Sequence, residues 1–207
     1  MKKYALFLGA VIFILNMITG CADHGRTNIT VDKGSVLPGT KVMRAGASID
    51  LVGTPIAVGD RLPAPELVEA GTMAAVDLSG SRGKVLFLSI VPSIDTKVCE
   101  AQTHYLGEQG DRLPAEVERI TISRDTPFAQ ARFAEEAKLT DIRFLSDYKE
   151  GAFGRSLGLL MDGPRLLARA VILVDKEGVV RYIQVVPEIT NLPDMETAFD
   201  RAIGLLR

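Results

Sequence analysis

The residues that could do chemistry lie in one short run, Pro92-Ser93-Ile94-Asp95-Thr96-Lys97-Val98-Cys99. A mainly apolar stretch, Lys84 to Val91, precedes it and reads as a buried strand. Pro92 lacks the N–H that a strand ladder needs, so the strand stops there. A helical pattern follows, with Val98, Ala101 and Tyr105 on one stripe and Leu106 beside it. Asp95 and Thr96 are both good helix N-caps, which places Cys99 in the first turn. The unpaired N–H groups and positive dipole end found there favour a thiolate, the nucleophilic form of cysteine. On its own, a lone cysteine is equally a small buried hydrophobe. The chain holds two cysteines, Cys21 and Cys99.

The elements that must position Cys99 read as one domain with appendages. Residues 1–20 have the pattern of a signal peptide: Lys2 and Lys3, then an apolar segment from Tyr4 to Ile18 that is short for a membrane span. Thr19-Gly20-Cys21 closes it and resembles the lipobox of bacterial lipoproteins, in which the cysteine is lipidated and becomes the first mature residue. The expectation is a lipid-anchored protein on the periplasmic or other extracytoplasmic face of a bacterial membrane. Residues 21–40 read as a flexible tether and 41–207 as the folded domain. Without its leader the chain keeps 22 basic side chains (24 less Lys2 and Lys3) against 26 acidic, a formal charge of −4. With no basic stripe, nucleic acid is excluded as a partner.

Val42-Met43, Ile49–Val52 and Pro55–Val58 read as short hairpin strands, with turns at Gly46 and at Gly53-Thr54. Arg61 to Pro65 is an extended connector, and Met73–Leu78 a weak strand. After the Cys99 helix, Val117–Ser123 forms a second core strand. Thr126-Pro127 caps and starts a helix that ends near Lys138, with Phe128, Ala131 and Ala134 on one stripe and Phe133 beside it. Arg143–Leu145 is a third strand, and Lys149–Leu157 a helix closed by Gly158. Ala170–Val174 and Val179–Val186 flank the turn Asp175-Lys176-Glu177-Gly178. A final helix runs from Asp194 to Leu206, with Met195, Phe199, Ala202, Ile203 and Leu206 inward. This order predicts an α/β, thioredoxin-like fold: a central mixed sheet with helices on both faces and an N-terminal β-hairpin.

Pro-x-x-x-Thr-x-x-Cys at a strand-to-helix junction resembles the active-site motif of the peroxiredoxins. The run Pro92 to Cys99 is similar to their thiol peroxidase subfamily in particular. So are Asp125 to Phe133, Leu167-Ala168-Arg169-Ala170-Val171-Ile172 and Glu188-Ile189-Thr190. The resemblance runs over most of residues 42–206. It implies that Cys99 is the peroxidatic cysteine, that the Thr96 hydroxyl bonds its sulfur and the peroxide, and that Pro92 shields the pocket from water. It further implies that Arg169 supports the thiolate and the peroxide oxygens, and that the protein forms a homodimer. Attack on an O–O bond needs a thiolate in line with it and donors for the departing oxygen.

The family's resolving cysteine would follow Phe133, where this chain has Ala134. The resemblance therefore implies a peroxidase with a one-cysteine cycle, acting on hydrogen peroxide and organic hydroperoxides and reduced by an external thiol, whether a thioredoxin-like protein or a small molecule. The alternative is a non-catalytic redox-sensing or binding module on the same scaffold. A thiol–disulfide oxidoreductase needs Cys-x-x-Cys, and position 96 is threonine. No cofactor is implied. His104 has no partner at metal-ligand spacing, and Gly151-Ala152-Phe153-Gly154 reads as a turn rather than a phosphate loop.

Overall fold

The computed structural model describes residues 29–207 apart from 82. The expected leader, the expected lipidation site Cys21 and the expected tether up to residue 28 lie outside the described residues. In chain order the strands and helices are β1 (Val31–Asp32), β2 (Lys41–Arg44), β3 (Ala47–Val52), β4 (Leu67–Glu69), β5 (Ala75–Val76), β6 (Val85–Ile90), α1 (Lys97–Glu108), β7 (Val117–Ser123), α2 (Pro127–Glu136), β8 (Arg143–Ser146), α3 (Ala152–Leu157), β9 (Leu160–Met161), β10 (Ala170–Val174), β11 (Val180–Val185), β12 (Leu192–Pro193) and α4 (Met195–Gly204).

Seven strands make the central sheet in the order β11-β10-β6-β7-β8-β4-β5. β6, β7 and β8 are parallel, joined by α1 and α2, while β10 runs antiparallel to β6 and β11 to β10. Every residue of β6 is buried, as a strand covered on both faces must be. Its side chains alternate between two cores. Val85 and Phe87 join Leu106 of α1 and Phe199 and Ala202 of α4, with Phe133 of α2 packed against them. Leu86, Leu88 and Ile90 join Phe153 and Leu157 of α3 and Val42 and Leu51 of the hairpin. Phe87 meets Phe199 edge-to-face at 5.4 Å, so truncating Phe87 to alanine is expected to cost about 3–5 kcal/mol.

The hairpin β2–β3 turns through Ala45 and Gly46, both with positive φ (50° and 86°), the two-residue turn whose twist suits antiparallel strands. Gly158, at φ 66°, closes α3 in the left-handed conformation.

Several expectations need correction. Pro55–Val58 forms no strand; Pro55 instead lies against Gly39 and Gly158. The weak strand at Met73–Leu78 shrinks to Ala75–Val76, and the three-residue β4, just beyond Pro65, gave no periodic signal. The inward face of α1 is Cys99, Gln102, Thr103 and Leu106, not Val98, Ala101 and Tyr105. In α2, Gln130 is buried and Phe128 is 70% exposed.

Residues 29–40 are docked rather than flexible. β1 pairs with β12, and Val36 donates its N–H to the carbonyl of Val185. The Gln184 side-chain amide donates to the carbonyls of Asp32 and Gly34. Gly59 and Asp60 exchange main-chain hydrogen bonds with Val180 further along the same strand. These segments cover the outer side of β11. Most of these links are main-chain contacts, which side-chain periodicity does not report.

Candidate active site

β6 ends at Ile90, and the chain passes Val91 and Pro92 into α1. Thr96 stands at the N-cap position, with extended backbone (φ −121°, ψ 142°), but its side chain caps no helix N–H. Its hydroxyl has one proton and two acceptors in reach, the Ser93 carbonyl at 3.3 Å and Cys99 Sγ at 3.0 Å. Sulfur is the larger atom and the closer one, so the geometry favours the bond to Sγ.

Arg169, just before β10, also reaches Cys99. It is 2% exposed. Its Nε donates to the Ile189 carbonyl at 2.9 Å, Nη1 to Gln102 Oε1 at 2.8 Å and Nη2 to Cys99 Sγ at 3.4 Å. Among the described residues no carboxylate pairs with this guanidinium. A buried charge without a counter-charge is costly, and the sulfur of Cys99 is the one bonded neighbour that can carry negative charge. A strand-end arginine paired with an acid would have been the ordinary arrangement; here the sulfur of Cys99 stands where the acid would.

Gln102 holds Arg169 in turn. Its Oε1 accepts from the guanidinium and its Nε2 donates to Ser89 Oγ at 2.9 Å, which fixes which way the amide faces. Asp125 holds the loop that carries Pro92 and Thr96. Ser93 Oγ donates to its Oδ1 and the Ile94 N–H to its Oδ2, both at 2.8 Å. Neither residue was singled out from the sequence. Gln102 lies one turn after Cys99 on its own helix face, and that i, i+3 spacing was the available signal.

Cys99 is fully buried beside Val91 and Ile94, with Ala129 and Phe133 of α2 behind it. Its two donors, Thr96 and Arg169, line a cavity of about 210 Å³ together with Pro92. The four residues Cys99, Thr96, Arg169 and Pro92 are therefore brought together. The other walls are mainly apolar: Ile49, Val98, Met161, Leu166 and Ile189.

Ala134 is elsewhere. It lies on α2 against the core that contains Phe87 and Phe199, and it borders a separate open cleft of about 700 Å³. That cleft is the larger, but its charged groups are committed to one another: Arg143 Nε bonds Glu69 at 2.6 Å and Nη1 bonds Glu118 at 3.2 Å. Its lining includes no cysteine, so the smaller cavity is the candidate site. His104 lies between Glu100 and Glu108 on α1, and among the described residues no group of side chains could hold a metal ion.

Residues 57–199 match the Redoxin family. A thiol peroxidase of Halalkalibacterium halodurans is 41% identical over 161 residues, covering 78% of this chain and 96% of the relative. The chain belongs to the thiol peroxidase subfamily of the peroxiredoxins. A thiol peroxidase of Bacillus subtilis is 38% identical over 162 residues, with the same coverage of 78% and 96%. Among solved structures, a peroxiredoxin-like protein from Aquifex aeolicus superposes with a TM-score of 0.75 at 33% identity, over 80% of this chain and 97% of that one. The fold is accordingly thioredoxin-like. As a peroxiredoxin-type peroxidase, the protein is an oxidoreductase.

Proposed function

We propose that the protein reduces hydrogen peroxide and organic hydroperoxides through a one-cysteine cycle at Cys99. The observation that carries this reading is the buried Arg169 guanidinium, whose only bonded neighbour among the described residues able to bear negative charge is Cys99 Sγ. The thiolate attacks the terminal oxygen of ROOH. An S–O bond forms as the O–O bond breaks, and RO⁻ leaves and takes a proton to become ROH. Thr96 and Arg169 are placed to donate to the peroxide oxygens during this step. Cys99 becomes a sulfenic acid. An external thiol displaces water from it to give a mixed disulfide, and a second thiol releases Cys99 and the oxidised reductant.

The absence of a resolving cysteine supports the external-thiol step. Position 134 is alanine, and Cys99 is the free cysteine of the described residues. One equivalent of peroxide should give Cys99 sulfenic acid without a disulfide, and excess peroxide should drive it to sulfinic acid. Intact-mass spectrometry with a sulfenic-acid trap, beside a non-reducing gel, reads both. A Cys99–Cys99 interchain disulfide as the main product would overturn the cycle. No peroxide consumption with any thiol would return the protein to the redox-sensing alternative.

The apolar cavity walls support organic hydroperoxides, for which catalytic efficiency should at least match that for hydrogen peroxide in a steady-state assay. The run ending in Thr19-Gly20-Cys21 supports a mature chain that begins at a lipidated Cys21, anchored outside the cytoplasm. An unmodified Met1 terminus on the native protein, found by mass spectrometry, would rule that out. Sedimentation of the purified protein tests the homodimer that the family resemblance implies.

A further inference from the structure

Three residues of the cavity wall beside Cys99 come from one short turn: Met161, Pro164 and Leu166. The turn folds back on itself. The Met161 N–H donates to the Leu166 carbonyl at 2.9 Å, and the Arg165 N–H to the Met161 carbonyl at 3.1 Å. Its middle residues, Asp162 to Arg165, are exposed. Arg165 has a φ of 58°, a left-handed conformation that few non-glycine residues adopt. A residue kept in such a region depends on its surroundings to hold it there.

The hold comes from Arg124, the half-buried residue just past the end of β7. Its Nη1 donates to the Arg165 carbonyl at 2.7 Å. Its Nε donates to the Asp147 carbonyl at 3.0 Å, and Nη2 to the carbonyls of Tyr148 and Lys149 at 2.9 and 3.0 Å. All four acceptors are main-chain groups, and among the described residues no carboxylate bonds this guanidinium. A planar fork of five N–H donors can span several carbonyls at once, which the single nitrogen of lysine cannot. The 147–149 segment is itself anchored, because the buried Asp147 carboxylate accepts the N–H groups of Phe153 and Gly154 at the start of α3. Arg124 therefore ties the exposed turn to a fixed part of the core. The next residue, Asp125, grips Ser93 and Ile94 in the loop that carries Pro92 and Thr96. Two adjacent residues thus hold two walls of one cavity. We infer that Arg124 is a positioning residue for the peroxidase reaction. By fixing the Arg165 carbonyl it sets where Pro164 and Leu166 stand, and so how closely that wall meets a substrate large enough to reach it. Arg124 itself lies outside the lining and acts only through the turn. This rests on the peroxidase reading and adds to it a residue that holds the cavity's shape.

The test uses two peroxides of different size, cumene hydroperoxide and hydrogen peroxide, with the purified full chain. The quantity read is the ratio of kcat/KM for the first to kcat/KM for the second. Arg124→Lys keeps the charge and the aliphatic stem but cannot bridge four carbonyls; Arg124→Met removes the donors altogether. Each should lower the ratio about tenfold, the size of losing apolar contact with one carbon of the substrate. Leu166→Ala should lower it similarly. Arg124→Lys combined with Leu166→Ala should fall no further than the larger single effect, because both act on the same wall. Alkylation of Cys99 by iodoacetamide at neutral pH should not change in Arg124→Lys, since the bonds from Thr96 and Arg169 to the sulfur do not pass through the turn. An arginine that only stabilised the fold would lower the melting temperature and slow both peroxides alike. An unchanged ratio in the Arg124 variants therefore overturns the inference, and so does a double variant in which the two effects multiply. If the unaltered protein consumes both peroxides and the ratio ignores position 124, this inference alone falls. If it consumes neither, the peroxidase reading falls with it.

Discussion

Two strand-to-helix junctions stand side by side in the sheet, one from β6 into α1 and one from β7 into α2, and each has a threonine with extended backbone at the N-cap. At the second junction the Thr126 hydroxyl accepts from the Ala129 N–H at 3.3 Å, and Pro127 occupies the first helical position. At the first, the Thr96 hydroxyl turns away from the helix and bonds Cys99 Sγ. One residue type in one backbone conformation thus does two jobs. Where the hydroxyl serves the helix, the return is stability of about 1 kcal/mol. Where it serves the sulfur, helix α1 forgoes that cap. Asp125 ties the junctions together, since it precedes the capping Thr126 and grips Ser93 and Ile94 in the other loop.

The sharpest way to break this comparison is at Arg169, the charge proposed to make the first junction reactive. Arg169→Met should lower peroxide turnover about 10²–10³-fold, the loss typical of removing one preorganised donor, and should slow alkylation of Cys99 at neutral pH. Equal alkylation rates in the two proteins would show that Arg169 does not support the sulfur. Thr96→Val should cost about tenfold or more, as expected for one hydrogen bond to a charged group, and Thr96→Ser should restore most of it. The melting temperature should hardly move, because Thr96 caps nothing.

Thr126→Ala is the mirror experiment. It should lower stability by about 1 kcal/mol, a shift of about 2–4 °C in melting temperature, with turnover unchanged. If Thr126→Ala harmed catalysis more than stability, the division of labour would be wrong. Asp125→Ala should show both effects together, a several-fold drop in turnover and a lower melting temperature, because it leaves the Ile94 N–H without its acceptor.

The smallest effect is a control remote from both junctions. The Arg143 guanidinium holds the Glu69 carboxyl below its ordinary 4.5, against the opposing pull of burial. A carboxylate with a depressed folded-state value adds stability above its unfolded value and loses it as pH falls through the folded one. Glu69→Gln should therefore flatten the acid limb of stability below about pH 4.5, read by denaturation at a series of pH values, while neutral turnover stays the same.

The junctions were largely legible in the sequence because they are written in local signals. Pro92 stops a strand, Thr126-Pro127 starts a helix, Gly158 ends one, and Asp194 caps the last, accepting the Thr197 N–H at 3.1 Å. The faces of α1 and α2 were not legible. The periodicity argument assumes that the inward stripe is apolar, and here it carries Gln102, Thr103 and Gln130. Burial of those residues is a consequence of the polar network: Gln102 is inside because Arg169 is, and Gln130 because its amide serves Ser123 and the Leu145 carbonyl. Asp125 read as part of a helix entry, and its grip on a loop 31 and 32 residues away depends on two parallel strands being neighbours, which no local window contains.

The covered outer side of β11 bears on how copies of this chain can assemble. A sheet grows by offering a free row of main-chain donors and acceptors to a newcomer. Along β11 that row is already engaged by Val36 at one end and by Gly59 and Asp60 at the other, and at the opposite border β5 is two residues long. Among the described residues, neither border of the central sheet offers a long free template for strand exchange or for a continuous intermolecular sheet. Any association of two copies through the central sheet would then rest on side chains meeting across faces and loops. It should accordingly respond to substitutions at exposed apolar positions such as Phe128 and be indifferent to the main-chain register of the sheet.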